Sequence, residues 1–271
     1  MSLPVGAQRV REAFASAAGR PLLVAYVLAG HPDPATATDA ADAALEAGAD
    51  MLEVGVPFSD PVADGPVIAS AARAAVANGA GLDTALEMVR SLRERGRPQP
   101  ILTMGYLNPI VARGTAATVR TLSDAGVDGL IVPDLPAGED PQLERAVADA
   151  GLGIVFLVAP NTPADRLEIT IRASTAFLYV VPLFGVTGAR DRVGDTATPL
   201  LTRVREAVGG RVPVAVGFGV SRPEHVRALA PSADAIVVGS AIVSALDERG
   251  PRGVAGLVAS LAAALPEPVP A

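Results

Sequence analysis

Eight short apolar runs alternate along the chain with stretches of helical periodicity, and this alternation restricts the fold more than any other feature. The runs are Leu22 to Leu28, Met51 to Val56, Ile101 to Met104, Gly129 to Val132, Gly153 to Val158, Ala176 to Val181, Val212 to Val216 and Ala235 to Val238. Nearly every position in them is apolar, as a strand requires when side chains cover it from both sides. Strand–helix repetition of this kind builds a parallel sheet, and eight units close it into a (β/α)8 TIM barrel. Helical segments run from Ala35 to Ala47, Leu82 to Arg95, Thr115 to Ala125, Gln142 to Ala150 and Pro223 to Leu229, with Gly or Pro at most boundaries. The closure Ala-Gly-Ala/Val-Asp, at Ala47 to Asp50 and again at Ala125 to Asp128, reads as a helix-to-strand turn with glycine at the helix end. An extra N-terminal helix between Val5 and Ala18 is expected to close the barrel bottom. Residues 1–271 read as one domain, with 266–271 as a frayed tail.

Composition removes several chemistries. All 22 basic residues are arginine, so no lysine can form a Schiff base. There is no cysteine, hence no thiolate nucleophile and no Cys-ligated metal. The two histidines, His31 and His225, are far apart and offer no metal-ligand spacing, which leaves an all-carboxylate Mg site as the open alternative; no metal and no cofactor is expected. His31 reads as a turn residue and His225 as part of a helix surface. A net charge of −7 argues against broad attraction to nucleic acid or an anionic membrane. Residues 1–19 lack the apolar centre of a secretory signal and no apolar run reaches about 18 residues, so a cytoplasmic location is expected.

The stretch MLEVGVPFSDPVADGPVI, Met51 to Ile68, delivers one acid from an apolar strand into a loop that holds two more. Unpaired burial of Glu53 would be costly, so it is expected to face a site. Asp64 follows eleven positions later in an Ala-Asp-Gly-Pro turn, and the two carboxyls can converge for acid–base work. The alternative is a salt-bridged core Glu and a helix-capping Asp. Ser59 and Asp60 read as loop staples, and Asp134 as a group that orients its neighbours. Glycines end the last three strands, in Gly185-Val186-Thr187-Gly188, Gly217-Phe218-Gly219 and Gly239-Ser240, where backbone N–H groups and a helix N-terminus suit a phosphate. Gly188, Gly217, Gly219, Gly239 and Ser240 are the candidates. The three tyrosines, Tyr26, Tyr106 and Tyr179, fall near strand ends and suit a flat ligand. Thr187 and Phe218 complete the expected pocket; Phe58, Leu102, Leu130 and Phe156 are neighbours that read as core when taken singly. The long connections Pro57 to Pro66 and Pro182 to Thr198 are expected to be lids on the catalytic face.

Taken together, LEVGVPFSDPVADGP, Tyr106-Leu107-Asn108-Pro109, Val132-Pro133-Asp134-Leu135-Pro136, Tyr179 with GVTG, Gly217-Phe218-Gly219 and Gly239-Ser240-Ala241 resemble the tryptophan synthase α subunit family over about Leu22 to Val243. The resemblance implies a barrel that cleaves indole-3-glycerol phosphate to indole and glyceraldehyde 3-phosphate. It matches Glu53 and Asp64 to two catalytic carboxylates and Tyr179 to an active-site tyrosine. Gly188, Gly219, Gly239 and Ser240 match phosphate contacts. It also implies a β subunit as partner in an α2β2 assembly. Leu28, His31 and Pro182 depart from the residues common in that family (Thr, Asp and Ser). Two alternatives stay open at this point: a stand-alone lyase that releases free indole, and a weakly catalytic subunit that activates a β partner.

Overall fold

The computed structural model describes residues 5–182, 193–217 and 219–267. Its strands are β1 (Leu22–Leu28), β2 (Met51–Gly55), β3 (Ile101–Met104), β4 (Gly129–Ile131), β5 (Gly153–Val158), β6 (Leu178–Val180), β7 (Val214–Gly217) and β8 (Ala235–Val238). They form a closed parallel barrel in sequence order, β1 pairing with both β2 and β8. The expected eightfold alternation is therefore present. Strand β7 starts later than the sequence suggests because Pro213 has no N–H to give the ladder; its carbonyl instead accepts from Leu178 N at 2.8 Å.

The helices are α1 (Ala7–Ser16), α2 (Pro34–Glu46), α3 (Pro66–Ala77), α4 (Leu82–Glu94), α5 (Leu107–Ala112), α6 (Thr115–Asp124), α7 (Pro141–Asp149), α8 (Ala164–Ala173), α9 (Val193–Val208), α10 (Pro223–Leu229) and α11 (Ser240–Ala262). Local chemistry sets their starts. Asp33 accepts from Thr36 N ahead of Pro34 at the first position of α2, and Asp140 caps α7 through Gln142 N and Leu143 N. Gly48 and Gly126 turn the chain out of α2 and α6 with φ of 108° and 92°, the left-handed region that favours glycine. Helix α11 is two helices broken at Gly250, directly before Pro251. The connection after β6 was expected to be a loop as far as Thr198; α9 begins at Val193, so its last part is helical. Among the described residues no helix is long and apolar enough to cross a membrane.

Alternate residues of each strand divide between two apolar layers. Leu23, Ala25, Val27, Leu52 and Val54 face the helices, whereas Leu22, Val24, Met51, Leu102, Ile131 and Val155 fill the barrel. Helix α1 closes the bottom: Val10 is fully buried, and Phe14 meets Phe177 edge-on at 6.1 Å. Three acids that precede β2, β4 and β8 complete this end. Asp50 accepts from Leu23 N, Asp128 from Ile101 N and Asp234 from Val214 N, at 2.8, 2.9 and 2.7 Å. Each also pairs with arginine: Arg20 for Asp50, Arg9 and Arg93 for Asp128, Arg205 for Asp234. Asp128 is the buried one, at 1 % exposure, and it accepts from Gly6 N as well, so it ties α1 to the barrel. His225, expected on a helix surface, is instead buried, with Ser221 N 3.3 Å from its Nδ1.

Candidate active site

Parity along β2 decides where its acid goes. Met51 lies inside the barrel, so Glu53 also points inward while Leu52 and Val54 face the helices. Glu53 is 2 % exposed and its Oε2 has no hydrogen-bond partner. Burial, with the nearby charge of Asp64 as a second cause, raises its pKa to about 8. The alternative of a salt-bridged core Glu is thereby set aside.

Asp64 arrives from the loop between Pro57 and Gly65, which folds back over the strand end. Burial pushes its carboxyl up, while a hydrogen bond from Tyr106 acts in the opposite direction. The Tyr106 hydroxyl donates to Asp64 Oδ2 at 3.0 Å and accepts from Ala63 N at 2.9 Å. Phe58 stacks on the Tyr106 ring at 5.0 Å. Asp134 accepts from Leu107 N at 3.0 Å, which fixes the backbone after Tyr106, in line with its expected orienting role. Ser59 donates to Asp60 within the loop at 2.5 Å.

Tyr26 and Tyr179 are 5 % and 6 % exposed and lie inside the barrel mouth. Each spans a glycine on the adjacent strand. A Cβ on Gly55 would stand 2.2 Å from the Tyr26 hydroxyl, and one on Gly217 would stand 2.4 Å from that of Tyr179. Burial raises both phenols well above the ordinary tyrosine value, with Asp64 and Glu53 among the further causes for each. They stay neutral and can only donate or accept hydrogen bonds.

Four of these groups line one cavity of about 420 Å³. Glu53, Asp64, Tyr26 and Tyr179 supply polar atoms; Met104, Pro133, Leu157, Val181, Val237 and Ile68 supply apolar wall; Gly219, Gly239 and Ser240 bring backbone from the ends of β7 and β8. Gly239 is the N-cap of α11 and Ser240 its first residue, so N–H groups and the positive end of the helix dipole meet the cavity. A largely apolar slot with two carboxyls and an anion cradle suits a flat aromatic ligand that carries a phosphate.

Some expected residues lie elsewhere. Gly217 is not among the cavity-lining residues; its missing side chain makes room for Tyr179. Tyr106, expected as pocket wall, is also absent from the lining and holds Asp64 from behind. Leu130 and Phe156 belong to the layer beneath the helices, and Leu157 takes the inward place. Thr187, Gly188 and Phe218 lie outside the described residues, as does most of the connection that begins at Pro182. His31 reaches Asp247 at 2.7 Å, beside the cavity rather than in it. Among the described residues no group of three or more His, Asp or Glu could hold a metal.

A family model described as "Tryptophan synthase alpha chain" matches residues 13–263. The chain belongs to the tryptophan synthase alpha chain family. It is 42% identical over 245 residues to the tryptophan synthase alpha chain of Roseiflexus sp. (strain RS-1), covering 90% of this chain and 93% of that one. With the alpha chain of Gluconacetobacter diazotrophicus it shares 46% over 242 residues, or 89% of this chain and 88% of the other. Among solved structures, tryptophan synthase from M. tuberculosis in an open form with BRD0059 bound superposes with a TM-score of 0.86 at 36% identity, covering 94% of this chain and 98% of that one. The alpha subunit from Legionella pneumophila str. Paris gives 0.84 at 31% identity, over 94% and 97%. As a member of the tryptophan synthase alpha chain family, this chain is a carbon–carbon lyase of tryptophan biosynthesis that cleaves indole-3-glycerol phosphate.

Proposed function

We propose that Glu53 and Asp64 carry the cleavage, with Tyr179 as the third catalytic group, the indole lying against the apolar wall and the phosphate at Gly219, Gly239, Ser240 and Gly188. The observation that carries this reading is the asymmetry of the two acids: Glu53 is buried without a partner at Oε2 and holds its proton near neutral pH, whereas Asp64 receives a hydrogen bond. Without lysine the reaction needs another electron sink, and the indole ring provides it. Glu53 delivers its proton to ring carbon C3, while the Asp64 carboxylate faces the ring N–H and stabilises the cation that forms. The Glu53 carboxylate then takes the proton of the glycerol hydroxyl. The bond between C3 and the glycerol carbon breaks, its electrons return to the ring, and indole and glyceraldehyde 3-phosphate result. Tyr26 and Tyr179 keep the slot narrow and polar beside the reacting atoms.

The chain works with a tryptophan synthase β subunit, as its family membership implies. The α2β2 assembly and a cytoplasmic setting are part of the proposal. The test is indole release from indole-3-glycerol phosphate by the purified chain, alone and with a β subunit. Slow release with strong activation by the partner is expected; fast release that ignores the partner would instead make the chain a stand-alone lyase.

A further inference from the structure

Two carboxyl groups that share one small cavity cannot both ionise cheaply, so something must decide which keeps the proton. The groups facing Asp64 among the described residues are Glu53 from β2, Tyr26 from β1, Tyr179 from β6 and Tyr106 after β3. Only Tyr106 makes a hydrogen bond to it. Its ring is fixed by the stack on Phe58 and its backbone by Asp134, and its oxygen already accepts the Ala63 N–H at 2.9 Å. The one hydroxyl proton therefore points at Asp64 Oδ2, 3.0 Å away. A bond from O–H to a charged carboxylate is about twice as strong as one to a neutral acid. Glu53 has no such donor at Oε2.

We infer that Tyr106 is a positioning residue that assigns the charge: by donating to Asp64 it keeps that group the carboxylate and leaves the shared proton on Glu53. The inference deepens the proposed roles of the two acids and rests on them. Tyr106 is not itself among the cavity-lining residues, so it acts through Asp64 rather than on substrate.

The test uses the full chain with Tyr106→Phe, which keeps the ring and its stack and removes only the hydroxyl. Carboxyl NMR titration of the ligand-free protein should show the Asp64 midpoint moving up by about one unit. The acid limb of kcat for indole release should move up with it, while KM changes less than about threefold because no phosphate or ring contact is lost. An ortho-fluorinated tyrosine at position 106 has the same shape and donates more strongly, so it should move both readouts the other way. A kcat reduced by one factor at every pH, or an Asp64 midpoint unmoved in both variants, would overturn the inference. The titration needs no turnover, so failure of wild-type cleavage would count against the activity assignment without deciding this one.

Discussion

Replacing Glu53 by Gln should raise the protein's stability relative to the wild type as pH rises, while removing its activity. The carboxyl's pKa goes from 4.5 in the ordinary state to about 8 in the fold, with burial as the main cause. Between those values the unfolded chain has released the proton and the folded chain still holds it, so raising the pH favours unfolding. At about 1.4 kcal/mol per unit the full shift amounts to about 5 kcal/mol, complete only above a pH of about 8, and to about 3 kcal/mol at pH 7. Gln has no proton to release, and whatever its buried amide costs is the same at every pH. The difference between variant and wild type should thus grow by about 3 kcal/mol from pH of about 4.5 to 7, or a relative gain of roughly 6–12 °C in Tm. Urea unfolding of both proteins at pH of about 5, 6, 7 and 8 reads this directly. A stability difference that stays flat across that range would mean that Glu53 is not held protonated, and the assignment of the acid would fail with it.

Asp64→Asn should nearly abolish cleavage while affinity for a phosphate-bearing ligand changes little, as judged by calorimetric titration; substantial remaining turnover would remove Asp64 from the mechanism. Gly217→Ala places a Cβ 2.4 Å from the Tyr179 hydroxyl and should displace that ring, lowering kcat by about tenfold or more at a stability cost of about 1–3 kcal/mol; kinetics and a melting curve on one preparation separate the two effects. Asp128→Ala leaves Arg9 and Arg93 without their shared buried partner and should cost about 3–5 kcal/mol in urea unfolding, with kcat of the folded fraction unchanged.

The strands were legible because a barrel strand is apolar on both faces, and the same fact made their parity illegible. Nothing in Gly-Ile-Val-Phe-Leu-Val says that Leu157 rather than Phe156 faces inward; the barrel's register decides it. Glu53 stood out because a lone acid in an apolar run has few bland explanations. Asp64 was readable from its turn, but its partner was not: Tyr106 lies 42 positions away and meets it only when the loop folds back. Gly217 and Gly219 look alike in sequence, yet one clears space for a phenol and the other turns with φ of 72° at the cavity edge. Asp50 and Asp128 read as ends of helix-to-strand turns; that they and Asp234 each bridge an arginine and a backbone N–H near the start of a neighbouring strand needed the closed barrel.

The most direct test of the central claim is single-turnover indole release from indole-3-glycerol phosphate by the wild-type chain, Glu53→Gln, Asp64→Asn and the double variant, all with saturating β subunit. If the two acids act in one proton-transfer step, each single variant loses nearly all activity and the double falls little further. Independent, multiplicative losses, or a Glu53→Gln protein that still releases indole at a substantial rate, would contradict the account.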